Sequence, residues 1–183
     1  MKTKQLTINA MLAAMCAVLG YVAIDLGNIK ITFEGVPVMM AALMFGPVDG
    51  MLVGGIGTLI YQLLRYGITA TTPLWILPYV VCGLVVGIWA KERHFDVGLR
   101  TTMSPRLRAE IVAAVAVAEF MIFVLNTFSL YVDSHIYGYY SPAFIFGAVG
   151  IRLVICVLKS VVFGLALPEL AAVIQKASRY TAG

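Results

Sequence analysis

Long apolar runs broken by short polar stretches dominate this chain. The stretch from Ile29 to Gly57, IKITFEGVPVMMAALMFGPVDGMLVGGIG, joins two such runs through Gly46-Pro47. Gly46, Gly50 and Gly54 recur every fourth residue, so they share one helix face and let two backbones approach closely. The pattern predicts a tight membrane hairpin. A spanning helix needs about 20 mostly apolar residues. The chain offers six such runs, near 6–25, 33–47, 49–66, 73–90, 109–131 and 143–173. The second is short and carries Glu34 at its outer end, so it reads either as a span or as a shallow, tilted segment. A failure to span there would change the side of every later loop. The expected fold is an all-α integral membrane protein with six transmembrane helices in one domain over 1–183.

Composition agrees. With 61% hydrophobic and 12% charged residues, the chain is far too apolar for a soluble domain. Lys2 and Lys4 precede the run from Leu6 to Ile24, and no small-residue cleavage site follows, so the first span is expected to stay. Charge sets the orientation. Lys2 and Lys4, then Lys91, Arg93, Arg100, Arg106 and Arg108 of a linker at 91–108, and Lys176 and Arg179 near the end all fall on one side of a six-span arrangement. Positive-inside bias makes that side cytoplasmic, with both termini in the cytoplasm of a bacterial plasma membrane. The outer loops then hold Asp25, Lys30, Glu34, Asp133 and His135. Five spans would part the basic tail from the basic linker. The net charge of +4 therefore reflects orientation, and no basic, aromatic-interleaved face suggests nucleic acid. Cys16, Cys82 and Cys156 lie inside apolar runs and read as packing residues, neither a disulfide framework nor a metal cluster. No internal repeat is evident, which argues against a complete transport pathway in one chain.

Four polar groups interrupt the last two spans. Glu119 and Asn126 are two turns apart on the fifth helix, and Arg152 and Lys159 are two turns apart on the sixth. Antiparallel helices would set Asn126 level with Arg152 toward the outside, and Glu119 level with Lys159 deeper. Charges at such depth cost at least about 2.5–3.5 kcal/mol each, so they should face the bundle interior. Two readings stay open for each layer. Arg152 and Asn126 either touch a ligand or bind helices together, with Arg152 reaching the outer headgroups. Glu119 and Lys159 either form a structural ion pair or lend Lys159 to an anionic ligand.

Aromatic residues collect at the outer end: Phe33, Tyr61, Tyr66, Trp75 and Tyr79, then Tyr131, Tyr137, Tyr139 and Tyr140. They serve as an interfacial belt or, with Arg65, as a site for a flat heterocycle or a small carboxylate. The candidate ligand residues are Phe33, Arg65, Trp75, Tyr79, Asn126, Arg152 and Lys159. In the first helix, Ala10, Ala13, Ala14 and Ala17 give two overlapping Ala-x-x-x-Ala spacings, for packing inside the bundle or against a partner helix. Nothing marks an enzyme or a cofactor site. His-Glu-x-x-His, Gly-x-Ser-x-Gly and Walker A sequences are absent, and His94 and His135 fall on opposite sides.

The ordered combination of these features resembles the substrate-binding S components of energy-coupling factor (ECF) vitamin transporters, within their folate and pantothenate branch. The resemblance rests on the small-residue first helix, the turn FGPVDG, the segments ITFEGVPVMMAALMFGP and ITATTPLWILPYVVCGLVVGI, LNTFSLY around Asn126, and the basic residue Arg152 in the sixth helix. It implies an ECF S-component-like bundle that binds a vitamin, folate first and pantothenate or another small vitamin second. It also implies partners: a transmembrane coupling subunit that docks on the first-helix alanines, and two cytoplasmic ATPases. The reading from another class is a membrane scaffold or assembly subunit, in contact with lipids but without a small ligand.

Overall fold

The computed structural model describes residues 3–25, 30–93 and 105–180. Its helices are α1 (Thr3–Tyr21), α2 (Gly35–Phe45), α3 (Pro47–Tyr66), α4 (Thr72–Glu92), α5 (Pro105–Ile136), α6 (Pro142–Phe146) and α7 (Val149–Tyr180). The last two form one segment interrupted at Gly147-Ala148, so six helical segments build the bundle. Between α1 and α2, β1 (Ile24–Asp25) pairs antiparallel with β2 (Lys30–Ile31). Among the described residues, four segments are long and apolar enough to cross a membrane: Pro47–Tyr66, Thr72–Glu92, Pro105–Ile136 and Pro142–Leu170. Their exposed side chains are large and apolar, among them Leu52, Ile56 and Leu64 on α3, Phe120 and Phe128 on α5, and Val157 and Val161 on α7. So broad an apolar exterior suits acyl chains, not water.

The second segment departs from the expected span at 33–47. It contains 11 residues, about 16 Å at 1.5 Å per residue, against some 30 Å of hydrocarbon. It is buried almost throughout, from Pro37 to Leu43, among α1, α3, α4 and α7. Its apolar character therefore reflects enclosure by protein. The preceding residues are used by the β pairing and the descent into the bundle. Glu34, expected in an outer loop, consequently ends inside the fold with only 1% of its surface exposed.

The glycines allow the helices to meet. Gly46 turns the chain between α2 and α3 at φ +99°, a conformation that side chains other than glycine rarely adopt. A Cβ at Gly50 would lie 3.0 Å from the Gly83 backbone of α4 and 2.7 Å from Ala42 of α2. On α1 the buried positions are Asn9, Leu12, Ala13, Cys16, Ala17 and Gly20, a single helical face turned toward α3. The alanine spacings thus divide. Ala10 and Ala14 are exposed, whereas Ala13 and Ala17 are each 6% exposed and pack internally.

At the end where α1 and α3 begin, Asp49 accepts hydrogen bonds from Gln5 Nε2 at 3.0 Å and from Asn9 Nδ2. Helix α4 runs through Glu92 and α5 starts at Pro105, which shortens the expected 91–108 linker at both ends. Most of it, with His94 and Arg100, lies outside the described residues. Arg93 and Arg106 approach Glu110 at 3.6 and 3.5 Å.

Pro78 inside α4 cannot donate to the Leu74 carbonyl one turn back. Ser129 of α5 fills that role: its Oγ lies 2.8 Å from Leu74 O and 2.9 Å from Leu125 O, so one hydroxyl proton is shared between two helices. This bond fixes the part of α4 that carries Trp75 and Tyr79.

Candidate ligand-binding site

A cavity of about 600 Å³ opens in the half of the bundle where α3 ends and α4 starts. Its wall on α5 is one helical stripe, Glu119, Ile122, Phe123, Asn126, Thr127, Leu130 and Asp133, which returns to the same face every three to four residues. From Glu119 to Asp133 that stripe runs about 21 Å along the helix. On α7 the stripe is Arg152, Ile155, Cys156 and Lys159. Helix α3 contributes Tyr61, Gln62 and Tyr66, α4 contributes Trp75 and Tyr79, and the descent into α2 contributes Ile31, Thr32 and Glu34.

At the rim near the start of α4, Asp133 is the hub. It accepts hydrogen bonds from the Thr71 and Tyr139 hydroxyls and, at 3.5 Å, from Trp75 Nε1. Three donors, two from the start of α4 and one from the loop after α5, hold one carboxylate. Burial, and then the bond to Asp133, push the Tyr139 phenol above its usual value, so it remains a neutral donor. The Tyr139 ring meets Phe144 of α6 edge-on at 6.0 Å.

Midway, the Tyr79 hydroxyl lies 3.1 Å from Thr32 Oγ1 and also bonds Glu34. Tyr61 packs edge-on against Tyr66 at 6.0 Å. Asn126 of α5 and half-buried Arg152 of α7 both line the cavity. At the floor, Lys159 Nζ lies 2.8 Å from Glu119 Oε2, and the ammonium also sits 5.3 Å from the Phe163 ring centroid. The pair is almost sealed, with Glu119 2% exposed.

Of the residues expected from sequence, the fold brings Trp75, Tyr79, Asn126, Arg152 and Lys159 to the cavity. Two stand elsewhere. Arg65 reaches from the exposed end of α3 to the Tyr21 carbonyl at 3.3 Å and over the Tyr66 ring, and Phe33 packs on Phe163 with centroids 6.1 Å apart. Neither lines the cavity. The structure adds Glu34, Gln62, Thr71 and Asp133. Gln62 had a signal, since Thr58 and Gln62 mark one polar face in an otherwise apolar span. Glu34 had none, because its place depends on where α2 starts.

Among the described residues, no group of acidic, histidine and cysteine side chains could hold a metal ion. What the cavity offers is aromatic faces, amide and hydroxyl groups, two cations and three carboxylates. That equipment suits a small polar molecule with a flat ring or a carboxylate.

Comparison with known proteins agrees with this architecture. Residues 4–175 match the family model of the ECF transporter, substrate-specific component. No curated protein matches the chain. Among solved structures, one described as the structure and mechanism of the S component of a bacterial ECF transporter is similar over 100% of this chain and 99% of that one, with 18% identity and a TM-score of 0.57. At that identity the likeness speaks for the fold alone. The family model spans nearly the whole sequence, and the chain belongs to that family.

Proposed function

We propose that this substrate-specific component is the vitamin-binding subunit of an ECF-type importer, that it binds its ligand in the outer cavity, and that the ligand is an anionic vitamin, folate first and pantothenate second. One observation carries the reading: a cavity of about 600 Å³ in which Arg152, Lys159 and Asn126 converge with the rings of Trp75, Tyr79 and Tyr137. The volume lies in the range of sites for vitamin-sized molecules. Aromatic faces suit a flat ring. A carboxylate withdrawn from water needs a cation or several donors, and the planar arginine fork supplies both charge and direction. Lys159 is held by Glu119, and Arg152, two turns away on α7, adds the planar fork that matches a carboxylate.

The chain contains no phosphate-binding loop, so energy for import has to come from other chains. The reading assigns that role to a coupling subunit with two ATPases. Their contact is the outward face of α1, where Ala10 and Ala14 are flanked by exposed Met11, Met15 and Val18. Small residues between adaptable apolar ones let a partner helix approach closely.

The test is equilibrium titration of folate and pantothenate against the purified wild type and Arg152→Ala, together with mass spectrometry of small molecules released on denaturation. A charge-assisted contact contributes about 1.5–3 kcal/mol, so the variant should bind at least about tenfold more weakly. Unchanged affinity removes Arg152 from the site. Tight binding of an uncharged or cationic vitamin by the wild type overturns the anion argument.

A further inference from the structure

Most polar side chains of the cavity are committed to one another. Asp133 accepts from three donors, Lys159 is paired with Glu119, Tyr79 bonds Thr32 and Glu34, and the Thr127 hydroxyl donates to the Phe123 carbonyl at 2.8 Å. Gln62 of α3 is different. It lines the cavity and is 6% exposed, yet among the described residues nothing bonds its amide. Neither amide atom is sealed off as Glu119 Oε1 is, so the group opens into the cavity that it lines. An enclosed amide without partners is expensive, and a ligand can supply what the protein does not. The helix contacts give its level. A Cβ at Gly50 would meet the Gly83 backbone and one at Gly54 the Tyr79 carbonyl, so α3 and α4 run antiparallel in that register. Gln62, eight residues past Gly54, therefore stands level with Thr71, eight residues before Tyr79, and Thr71 bonds Asp133. Asn126 and Arg152 are each seven residues from the Glu119–Lys159 pair, and so level with each other. Asn126 is also seven residues from Asp133, which puts Gln62 about 10 Å along the bundle from the Asn126 and Arg152 level.

Resting on the vitamin-binding reading above, we propose that Gln62 is a specificity-determining residue that reads a lactam edge on a flat ring of the ligand, while Arg152 and Asn126 hold the carboxylate about 10 Å away. A primary amide presents an acceptor and a donor side by side. The group that engages both at once carries an N–H beside a C=O, held cis by a ring. An open-chain amide is trans, so its N–H and C=O point in opposite directions and only one of them reaches Gln62. A carboxylate would take the amide N–H and set its second oxygen against the amide oxygen. Tyr61 and Tyr66, just before and one turn after Gln62, line the same wall and supply aromatic surface for the ring. The terminal torsion of a glutamine is broad, so the amide turns to match the edge at little cost. A site built to bond such an edge discriminates strongly against molecules that lack it, because its buried amide would then stay unpaired. Folate carries a ring lactam and a carboxylate tail, whereas pantothenate has a carboxylate and an open-chain amide.

The experiment titrates four probes against the purified full chain: folate, bare pterin, 3-methylpterin, whose lactam N–H is blocked, and N-(4-aminobenzoyl)glutamate, which keeps the anionic tail without the ring. Wild type should bind folate at least about tenfold more tightly than the tail fragment, and pterin at least about tenfold more tightly than 3-methylpterin. Gln62→Met keeps the volume and removes both hydrogen-bonding groups. It should weaken folate and pterin by about tenfold or more, change the tail fragment less than about threefold, and bring pterin and 3-methylpterin together. Equal binding of pterin and 3-methylpterin by wild type overturns the proposal. So does an unchanged folate-to-tail ratio in the variant, the result expected if water alone satisfies the amide. If Gln62→Met fails to fold, Gln62→Asn, whose amide is drawn back by one methylene, decides by the same two ratios. Wild type that binds pantothenate in place of folate leaves the vitamin-binding reading standing and overturns the lactam reader. Wild type that releases no small molecule and binds neither vitamin overturns both.

Discussion

Gly54 and Gly55 are neighbours on α3, yet a methyl group at each should have opposite effects. At Gly54 a Cβ would lie 2.6 Å from the Tyr79 carbonyl oxygen and 2.9 Å from its carbon, both backbone atoms of α4. At Gly55 the nearest atom is a Val80 methyl at 3.5 Å, an ordinary contact. Gly54→Ala therefore forces α4 outward by about 0.8 Å, the distance from that approach to the 3.4 Å where ordinary contact begins. Overpacking of this kind costs about 1–3 kcal/mol. Both substitutions gain the same helix preference of alanine over glycine, about 0.5–1 kcal/mol in water. That gain cancels between the two variants, so the difference in stability isolates the steric term at about 1–3 kcal/mol. The displaced segment carries Tyr79, so Gly54→Ala should also weaken ligand binding while Gly55→Ala should not. Denaturation midpoints in one detergent, with a titration of each variant, measure both effects. Equal midpoints and equal affinities would refute the close α3–α4 approach.

Ser129→Ala leaves the Leu74 carbonyl without its donor and should destabilise by about 1–3 kcal/mol. In a Pro78→Ala background, residue 78 again donates to that carbonyl, so the loss should largely vanish; additive losses by thermal denaturation would contradict this account. Ala14→Trp should abolish vitamin uptake by cells and leave binding by the isolated protein intact. Ala13→Trp should destroy the fold, because its side chain is enclosed, and the reverse result would exchange the two faces of α1. Cysteines introduced at Ile68 and at position 100 should label from opposite sides of the membrane, with both termini cytoplasmic. The native Cys16, Cys82 and Cys156 are buried and should stay silent; labelling of both new sites from one side refutes the six-span topology.

Much of the bundle is legible in the sequence for a simple physical reason. A helix facing lipid must be apolar over its length, so α3, α4, α5 and the segment from Pro142 appear as runs with polar ends. The seven-residue spacings also carried weight. Glu119 with Asn126, and Arg152 with Lys159, announce inward faces because charges are expensive anywhere else. Hydropathy is blind to what encloses a run. The apolar stretch after Glu34 looks the same whether lipid or protein surrounds it, so its shortness left a span and a shallow segment both open, and the burial of Glu34 could not be read. Ala13 and Ala14 are equally small, and only packing against α3 shows which of them turns outward. Arg65 looked convergent because it shares a level with Trp75, but it sits on the outward side of α3 and reaches the end of α1 instead.

The shortness of α2 and the existence of the cavity are one fact. A full span of about 20 residues in that central position would continue some nine residues, or 14 Å, beyond Gly35. A cylinder of that length and about 10 Å in diameter encloses on the order of 1,000 Å³. The chain fills part of this space with the descent from β2, and about 600 Å³ remains open. The surrounding helices α3, α4, α5 and α7 keep their length, so the opening has walls. Glu34, just before α2, lines it, and Gly35 at the start of α2 lies against Glu119. A lipid-facing helix could not be cut short in this way without exposing unpaired backbone groups to hydrocarbon. Enclosure by α1, α3, α4 and α7 makes the half-helix tolerable, and the cavity opens beyond its start.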